Sequence, residues 1–455
     1  MVMQSDAQLP VGWDTVRLES LATEGSVTYG VVQPGQAAPD GIPMIRVNNF
    51  RGFGLDTSDV LRIGPEVEAK YGRTRLKSDD VLITIVGTVG QVAMVPPALE
   101  GWNIARAVAV IRPKEAKFAR WIALALRAPE SQRALGVAAN TTVQTTINLK
   151  DLRQLLVPIP PTEERQAIEQ LLCSLDDRID LLRQTNTTLE SIAQALFKSW
   201  FIDFDPVRAR QAAREPEGMD AATAALFPAE FEESALGLIP KGWRVSTLAE
   251  HVFAERGLSY KGAGLCNAGE GLPMHNLNSV LEGGGYKYAG IKHYTGDYKD
   301  RHLVVAGDVI VANTEQGHEH RLIGFPAIIP ARYPRAIFSH HIYQVRLKPG
   351  SPLTTHVLYY TLMAPAVREQ VIGCANGSTV NMLKLAGLEI PQFVCPSAEA
   401  AKAFEELACS IHKQMEANVE RAELLSALRD TLLPRLISGK LRLPEARQQL
   451  EDAPA

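Results

Sequence analysis

Four cationic side chains, one tyrosine and one glycine occur together in one short segment, Lys70-Tyr71-Gly72-Arg73-Thr74-Arg75-Leu76-Lys77. Lysine and arginine bind phosphate oxygens, and arginine can also donate two parallel hydrogen bonds to guanine. This composition favours contact with a nucleic acid, although a solvated surface loop could have the same residues. The segment is the clearest candidate binding site in the sequence.

A second region of similar character lies between residues 286 and 302. It interleaves basic with aromatic residues in the runs Tyr286-Lys287-Tyr288, Lys292-His293-Tyr294 and Tyr298-Lys299-Asp300-Arg301-His302. Because this region corresponds in position to the first one within a repeated chain, the pair favours DNA binding over two unrelated surface loops.

Polar loops of both halves extend the candidate surface. Asn48-Asn49-Phe50-Arg51 matches Asn276-Leu277-Asn278-Ser279, and the hydroxyl-rich residues 140–146 match 376–380. Asparagine pairs with adenine in the major groove, but it is also common in turns. The predicted DNA-binding residues are Asn48, Asn49, Arg51, Lys70, Tyr71, Arg73, Thr74, Arg75, Lys77, Thr142, Gln144, Asn276, Asn278, Lys287, Lys292, His293, Lys299, Arg301, Asn313, Gln316, His318, Arg321, Ser378 and Thr379.

Catalytic and metal-binding motifs are not found in the sequence. All ten histidines follow residue 250, and His318-Glu319-His320 and His340-His341 suggest a metal site. Their spacing is not the i, i+4 spacing of a helical zinc site, and no cysteine supports them. We also find no P-loop, no adenine-methyltransferase motif and no nuclease-type carboxylate–lysine cluster. The sequence therefore predicts no catalytic residue, no metal and no cofactor bound by this chain.

The chain is an imperfect duplication. Leu9-Pro10-Val11-Gly12-Trp13 returns 230 residues later as Ile239-Pro240-Lys241-Gly242-Trp243. Near the ends of the halves, Ala167-Ile168-Glu169 matches Ala403-Phe404-Glu405 at an offset of 236. The matching segments keep their order, so the sequence predicts two related domains with pseudo-two-fold symmetry.

A long amphipathic helix follows each repeated domain. In both helices, two lines of mostly apolar residues recur every seven positions and are offset by four, which is the core pattern of a coiled coil. Two-fold symmetry predicts that the helices pack antiparallel, and the alternative is that each helix lies on its own domain. The predicted core residues are Ile168, Leu172, Leu175, Ile179, Leu182, Asn186, Leu189, Leu196, Phe404, Ile411, Met415, Asn418, Leu425 and Leu432.

These patterns predict an α+β fold. Two similar mixed α/β target-recognition domains with pseudo-two-fold symmetry would be separated by two long helices that form an antiparallel coiled coil. The expected boundaries are a first recognition domain over 1–157, a central long helix over 158–201, an acidic linker over 202–237, a second recognition domain over 238–390, a C-terminal long helix over 391–440 and a disordered tail over 441–455.

The charge distribution agrees with this division. The net charge is −4, yet residues 1–157 carry 17 basic against 15 acidic residues and residues 238–390 carry 15 against 11. The acidic excess lies in the connecting segments, so the repeated domains are the better candidates for DNA binding. Five scattered cysteines and the lack of an apolar stretch of about 18 residues favour a reduced, cytoplasmic protein that does not contact a membrane.

The sequence resembles the specificity (S) subunits of type I restriction–modification enzymes over nearly its whole length. The resemblance rests on the Pro-x-Gly-Trp starts of both halves, the helix opening Pro158-Ile159-Pro160-Pro161-Thr162-Glu163-Glu164, the mid-chain run Ser199-Trp200-Phe201-Ile202-Asp203-Phe204-Asp205-Pro206-Val207 and the terminal run Leu432-Leu433-Pro434-Arg435-Leu436-Ile437-Ser438-Gly439. One departure is Pro396-Ser397-Ala398-Glu399, which replaces the usual Pro-x-x-Glu-Gln and concerns helix capping.

The resemblance implies that each recognition domain reads one half of a bipartite, asymmetric target in double-stranded DNA. The helical pair would set the gap and bind two methyltransferase (M) subunits, which two restriction (R) subunits would join. S-adenosylmethionine, ATP and Mg are expected on these partners, which would carry out adenine methylation and restriction. The alternatives are a non-catalytic coiled-coil scaffold without DNA specificity and the remnant of a single-chain nuclease–methyltransferase.

Overall fold

The structure is a computed structural model that describes residues 9–141, 145–317, 319–377 and 380–446. The chain divides into two compact units, which we call the first unit (residues 1–182 and 421–455) and the second unit (residues 183–420). Each unit combines one repeated domain with part of each long helix. The expected domain boundaries at 157 and 390 stay predictions, because each unit includes parts of both long helices.

The first unit consists of short strands and helices followed by the start of a long helix. Its strands are β1 (Asp14–Arg17), β2 (Thr28–Tyr29), β3 (Ile42–Ile45), β4 (Phe50–Arg51), β5 (Gly54–Leu55), β6 (Leu61–Ile63), β7 (Val81–Thr84), β8 (Val92–Met94), β9 (Asn103–Ile104), β10 (Val108–Ile111), β11 (Asn140–Thr141), β12 (Thr145–Thr146) and β13 (Leu156–Ile159). Its helices are α1 (Leu18–Leu21), α2 (Pro65–Ala69), α3 (Ala119–Arg127), α4 (Pro129–Ala138), α5 (Leu149–Gln154) and the long α6 (Thr162–Phe201), which continues into the second unit.

Two small sheets form the body of the first unit. The larger is antiparallel in the order β2-β10-β7-β8, and every residue of β7 and β10 is buried because both faces of these central strands are covered. The smaller has the order β6-β3-β9, in which β3 and β9 are parallel. The main core joins β7 and β10 to α3 and to the long helices, and Trp121 of α3 is fully buried in it.

The second unit repeats these elements with longer connections. Its strands are β14 (Phe231–Ser234), β15 (Gly237–Pro240), β16 (Arg244–Thr247), β17 (Val252–Arg256), β18 (Leu265–Cys266), β19 (Leu272–His275), β20 (Lys292–Tyr294), β21 (Leu303–Val304), β22 (Val309–Ala312), β23 (Thr314–Gln316), β24 (Pro326–Ile328), β25 (Ala336–Phe338), β26 (Ile342–Leu347), β27 (Ala375–Asn376), β28 (Val380–Leu383) and β29 (Gln392–Cys395). Its helices are α7 (Asp205–Gln211), α8 (Ala221–Ala224), α9 (Leu248–His251), α10 (Thr355–Met363), α11 (Pro365–Gly373) and the long α12 (Ala398–Ile437), which continues into the first unit.

The strand order of the second unit matches that of the first. The antiparallel sheet β17-β26-β22-β24 corresponds to β2-β10-β7-β8. The sheet β18-β20-β19-β25-β21 contains the parallel pair β19–β25, which corresponds to β3–β9. The pair β16–β29 corresponds to β1–β13. This agreement confirms the two similar mixed domains expected from the duplication.

The long helices pack against each other within each unit. In the first unit, Leu172 and Leu175 of α6 share a core with Leu432 and Leu436 of α12. In the second unit, Asn418 Nδ2 donates to Asn186 Oδ1 at 2.8 Å, and Asn186 Nδ2 donates to the Met415 carbonyl at 2.9 Å.

Later residues of α6 thus meet earlier residues of α12, which confirms the predicted antiparallel arrangement. The helix pair also packs against each domain, because Phe197 of α6 and Phe404 of α12 lie in the main core of the second unit. The two interpretations of the heptad pattern, a helix pair and a helix lying on its domain, are therefore combined. A paired Asn–Asn contact in the core favours one register, since a slip would bury amides without partners.

Two connecting segments are more ordered than the sequence indicates. The acidic linker contains α7, α8 and β14. Phe204 packs edge-on against Trp243, and Phe227 packs edge-on against Trp200. The expected disordered tail differs from the structure at residues 441–446, because Leu441 and Ala446 are buried in the core of the first unit. The rest of the tail, residues 447–455, lies outside the described residues.

Candidate nucleic-acid interface

The first unit has a surface cleft at the carboxyl ends of the parallel strands β3 and β9. Its volume is about 620 Å³. Segments that follow both strands line it, together with the turn between β7 and β8, as is common for ligand sites beside parallel strands. The lining residues are Arg46, Val47, Asn48, Phe50, Arg51, Thr88, Gln91, Ala105 and Ala107.

The loop after β3 is built by an asparagine that points inward. Asn49 is buried, its Oδ1 accepts from the Arg46 amide at 2.8 Å, and its Nδ2 donates to the Asp56 and Asp59 carbonyls at 2.9 and 2.8 Å. These bonds saturate the Asn49 side chain and leave its exposed neighbour Asn48 facing the cleft. Of the two predicted asparagines, the structure thus places Asn48 in the cleft and gives Asn49 a structural role.

Two arginines add positive charge to the cleft. Arg51 is exposed and lies 3.6 Å from Asp56, whose pKa is lowered first by its hydrogen bonds with Ser58 and further by Arg51. Arg46 is half-buried; its Nη2 lies 3.5 Å from Asp59, and its Nε has no hydrogen-bond partner within the described part of the chain. A buried donor without a partner is costly unless a ligand or water accepts from it, so Arg46 is a candidate for direct contact.

Thr88 and Gln91 are cleft residues that the sequence analysis did not select. They lie in the glycine-containing turn between β7 and β8, where the Gln91 amide donates to Thr84 Oγ1 at 2.9 Å. Gln132 of α4 fixes this turn by donating to the Gly90 carbonyl at 2.9 Å. The polar residues around Gly87 and Gly90 indicate a turn. Nothing in the local sequence indicates that this turn faces the loop after β3.

The basic segment 70–77 lies away from this cleft. None of its residues lines the cleft, and the segment follows α2 and packs beside β9, where the Leu76 amide donates to the Trp102 carbonyl at 2.7 Å. Thr74 is buried and donates to Asn103 Oδ1 at 2.7 Å, and Tyr71 Oη accepts from the Val32 amide at 3.3 Å.

Arg75 forms a bidentate pair with the buried carboxylate of Glu68, at 2.8 and 2.6 Å. This hydrogen-bonded pairing raises the pKa of Arg75 and uses two of its five donors, at Nε and Nη2. Lys70, Arg73 and Lys77 remain exposed. Arg75 is exposed as well, but its charge is paired with Glu68.

The second unit places different side chains after its parallel strands. Ser279 replaces Asn49, accepting from the Asn276 amide through Oγ at 3.1 Å, and Asn276 is itself buried. Asn278 is exposed at the position of Asn48, and Lys287 Nζ donates to its Oδ1 at 2.6 Å. The two units thus keep the loop geometry and one exposed asparagine.

A histidine pair follows β25 in the second unit. The rings of His340 and His341 lie 3.9 Å apart, and His341 Nδ1 is 3.2 Å from Thr314 Oγ1. Burial lowers the pKa of His341, and the neighbouring His340 lowers it further. Tyr260 stacks near His340, and Lys292 donates to Tyr260 Oη at 2.9 Å.

The described contacts of His340 and His341 are thus to Thr314, Tyr260 and each other. Among the described residues, no group of three or more His, Cys, Asp or Glu residues is placed to hold a metal ion.

A scan against family models matches residues 10–191 to the type I restriction modification DNA specificity domain. The chain is also 31% identical, over 242 residues, to the specificity subunit of the type I restriction enzyme EcoBI from Escherichia coli, covering half of each protein. It is 25% identical to the HindI specificity subunit from Haemophilus influenzae, covering 65% of this chain and 71% of that subunit. The N-terminal part of the chain thus matches the type I DNA specificity domain, and the chain is similar to type I specificity subunits.

A solved structure supports the fold over most of the chain. The S subunit of a type I restriction–modification system from M. genitalium matches with a TM-score of 0.52 at 12% identity, covering 95% of this chain and 98% of that one. The match to the EcoBI specificity subunit, in contrast, spans only about half the length of that relative.

The other predicted residues are spread over several segments. His293 on β20 is half-buried, while Lys299 and Arg301 are exposed just before β21, which is antiparallel to β25 and therefore starts beside the carboxyl end of β25. Asn313 is buried and donates to the His340 carbonyl at 3.0 Å. Five predicted residues lie outside the described residues: Thr142, Gln144, His318, Ser378 and Thr379.

The long loop between β22 and β24 is held from inside by two charged residues. Glu315 accepts from the amides of residues 321–323, and Arg368 of α11 donates to the His320 and Ile323 carbonyls at 3.1 Å each. Burial lowers the pKa of Arg368 to about 10. Gln316 and Arg321 are exposed on this loop, and Arg321 pairs with Glu319 at 2.8 Å.

The long helices are the remaining shared feature. No helix of the described part of the chain is both long enough and apolar enough to cross a membrane. Of the predicted heptad residues, Leu189, Leu196, Ile411, Met415 and Leu425 are half-buried, as is Asn186, and the other eight are buried.

Proposed function

We propose that this chain is the DNA sequence-specificity subunit of a type I restriction–modification complex and that each unit reads one half of a bipartite target. One observation carries the proposal: both units have the same strand order, but different polar side chains follow their parallel strands. A repeated frame with divergent reading residues fits two specificities carried by one protein. The same observation disfavours a scaffold without DNA specificity, which would have no need for polar divergence at one matching place.

The cleft of the first unit is proposed to read bases. Arg46 and Arg51 offer donors to guanine, and Asn48 and Gln91 offer the paired donor and acceptor that adenine takes in the major groove. Asn278 and the His340–His341 pair occupy the matching place in the second unit. Different donor and acceptor sets at the two places would give the target its asymmetry.

Phosphate contacts are proposed for exposed cations of the two basic segments. These are Lys70, Arg73 and Lys77 in the first unit and Lys299 and Arg301 in the second. Such contacts fix the register of the protein on DNA without reading sequence. Arg75 is left out of this set because Glu68 occupies its guanidinium.

The paired helices are proposed to set the gap between the half-sites and to bind two methyltransferase subunits, which two restriction subunits join. A helix of 40 residues with a fixed core register has a defined length, about 60 Å at the usual rise. The chain itself would bind no cofactor. S-adenosylmethionine, ATP and Mg would be bound by the partners, which would perform adenine methylation and restriction.

The test is to express the full chain with the methyltransferase gene of the same operon in a methylation-free host and to map methylated adenines by long-read sequencing. The proposal predicts one motif with two short specific halves separated by a fixed gap. The chain expressed alone is the control and should give no methylation. Sequence-independent methylation, or none in a complex that demonstrably assembles, would contradict DNA recognition by this chain.

A further inference from the structure

The β4–β5 hairpin connects the cleft to the long helices within the first unit. Phe50 and Arg51, on the strand before the turn, line the cleft, and the turn itself is Gly52-Phe53. Gly52 has a φ of 60°, a left-handed conformation that glycine adopts without strain, and it reverses the chain so that Phe53 faces the helices.

Phe53 is stacked between two arginines. Arg127 Cζ, at the end of α3, lies 3.0 Å from the Phe53 ring centroid, and Arg429 Cζ, on α12, lies 4.1 Å from it. The arginine side chains are only 8% and 7% exposed. A guanidinium over an aromatic face is attracted by the negative ring face, and the attraction is greatest where water is excluded.

Asp176 of α6 holds both arginines in place. It accepts from Arg127 at 2.7 and 3.1 Å and from Arg429 at 2.8 Å, while Arg429 also pairs with the exposed Asp430. Burial lowers the pKa of Arg127, an effect that the bond with Asp176 opposes. The half-buried Asp176 serves both arginines, and the ring face adds a favourable contact to two cations that are largely shielded from water.

The second unit does not repeat this stack. Met363 ends α10 where Arg127 ends α3, and at the offset of 236 His412 and Ala193 take the places of Asp176 and Arg429. The stack is therefore not part of the duplicated frame. It occurs in the unit whose hairpin lines the cleft.

We propose that Phe53 is a positioning residue for base recognition by the first unit. The Arg127–Phe53–Arg429 stack fixes the hairpin tip on the helices, and the hairpin in turn holds Asn48 and Arg51 in the arrangement that forms the cleft. Phe53 itself touches no base and acts through these two side chains. The inference rests on the proposed DNA-reading function of the cleft.

The test compares Phe53→Ala with the unchanged chain, each assembled with its methyltransferase partner. We expect the base preference to relax about tenfold in the half-site that Gln91→Ala also affects, while the other half-site keeps its preference. In hydrogen exchange of the full chain, amides of residues 46–55 should exchange about tenfold faster, and those of β7 and β10 should not change.

Three variants separate the stack from general packing. Phe53→Tyr keeps the ring and should restore selectivity, whereas Phe53→Leu keeps apolar volume without the ring face and should remain relaxed. Phe253→Ala is the matched control, because Phe253 also lies beneath a cation, Lys348 at 5.0 Å, but in the second unit and outside the reading loops. It should leave both half-sites unchanged.

Wild-type selectivity in Phe53→Ala, or an equal loss in both half-sites, overturns the proposal. If Phe53→Ala also accelerates exchange in β7 and β10, Phe53→Leu takes its place in the comparison under the same criteria. If the unchanged chain gives no bipartite motif, the proposed function fails, and unchanged exchange in residues 46–55 of the variant would separately rule out positioning by Phe53.

Discussion

The two units use one strand order but fill it with different polar chemistry. In the first unit, the long helices bury arginine and aspartate, namely Arg127, Asp176 and Arg429. At the corresponding place, the second unit buries histidine, tyrosine and glutamate. His356 Nδ1 lies 2.8 Å from Glu405, and the His412 ring is 2.9 Å from Tyr360 Oη.

The same contrast holds for the loops. A neutral glutamine, Gln132, braces the short turn of the first unit, whereas the buried Arg368 braces the long loop of the second. After β9, the first unit has the small residues Ala105 and Ala107, which leave its cleft open. After β25, the second unit has Ser339 and His341 at the corresponding positions. Apolar packing thus specifies the shared frame, and the polar groups are free to differ as long as each one finds a partner.

The largest effect should come from removing the shared carboxylate of the first unit. Asp176→Ala leaves two buried guanidiniums with only the exposed Asp430 beside them, so we expect a loss of about 3–5 kcal/mol in the stability of that unit. Urea unfolding followed by hydrogen exchange would show loss of protection in β7 and β10 before β22 and β26. Asp177→Ala removes the exposed neighbour as a control, and an equal effect of both variants would refute the role of the buried network.

Low pH should destabilise the second unit more than the first. Burial lowers the pKa of His275 to about 4 and that of His412 to about 3, and the first unit has no histidine at all. A histidine with a depressed folded pKa contributes stability above its unfolded pKa of about 6.5, and this stability is lost as the pH falls, because the unfolded chain takes up the proton first.

Between pH 6.5 and 5 the second unit should therefore lose on the order of 2–4 kcal/mol while the first unit does not change by this route. Glu190, whose pKa is raised by burial, acts in the opposite direction near the lower end of this range. Hydrogen exchange at several pH values, read separately for β7 and β22, measures the difference. His275→Phe should flatten the slope, and parallel slopes in both units would contradict the expectation.

Much of the frame could be predicted from the sequence, because apolar periodicity reports burial directly. The two similar domains and the helix pair follow from spacing, and so do core positions for Asn186 and Asn418, which the structure brings into contact. Residues 441–446 could not be predicted, because a charged segment gives no indication that Leu441 and Ala446 reach a core.

The residues of the candidate interface were harder to predict from the sequence than the frame. A local pattern identifies a polar loop but not the direction in which its side chains point. Asn48 and Asn49 are adjacent and alike, yet only one faces the cleft. Thr88 and Gln91 line the same cleft as Asn48 only because strand pairing brings the turn after β7 close to the segments that follow β3 and β9.

Smaller effects, confined to half-sites, should follow from single cleft residues. Gln91→Ala should reduce base discrimination in one half of the target by about 1–3 kcal/mol, and Asn278→Ala should do the same in the other half only. The readout is the base frequency at each methylated motif position in the assembled complex. Gln154→Ala, on α5 and outside the cleft lining, is the matched control. If both variants change base discrimination in the same half-site, the assignment of one half-site to each unit is wrong.

The smallest effect distinguishes two arginines that look equivalent in sequence. Arg73 is exposed, so Arg73→Ala should weaken specific and non-specific DNA binding alike and reduce the slope of log K against log salt by about one. Arg75 is held by Glu68, so Arg75→Ala should leave that slope unchanged and slightly destabilise α2, where Glu68 would lose its partner. Fluorescence anisotropy of the assembled complex on a random duplex, from 50 to about 200 mM salt, measures both slopes. If Arg75→Ala lowers the slope as much as Arg73→Ala, the Glu68 pair opens on DNA and both arginines belong to the phosphate-binding surface.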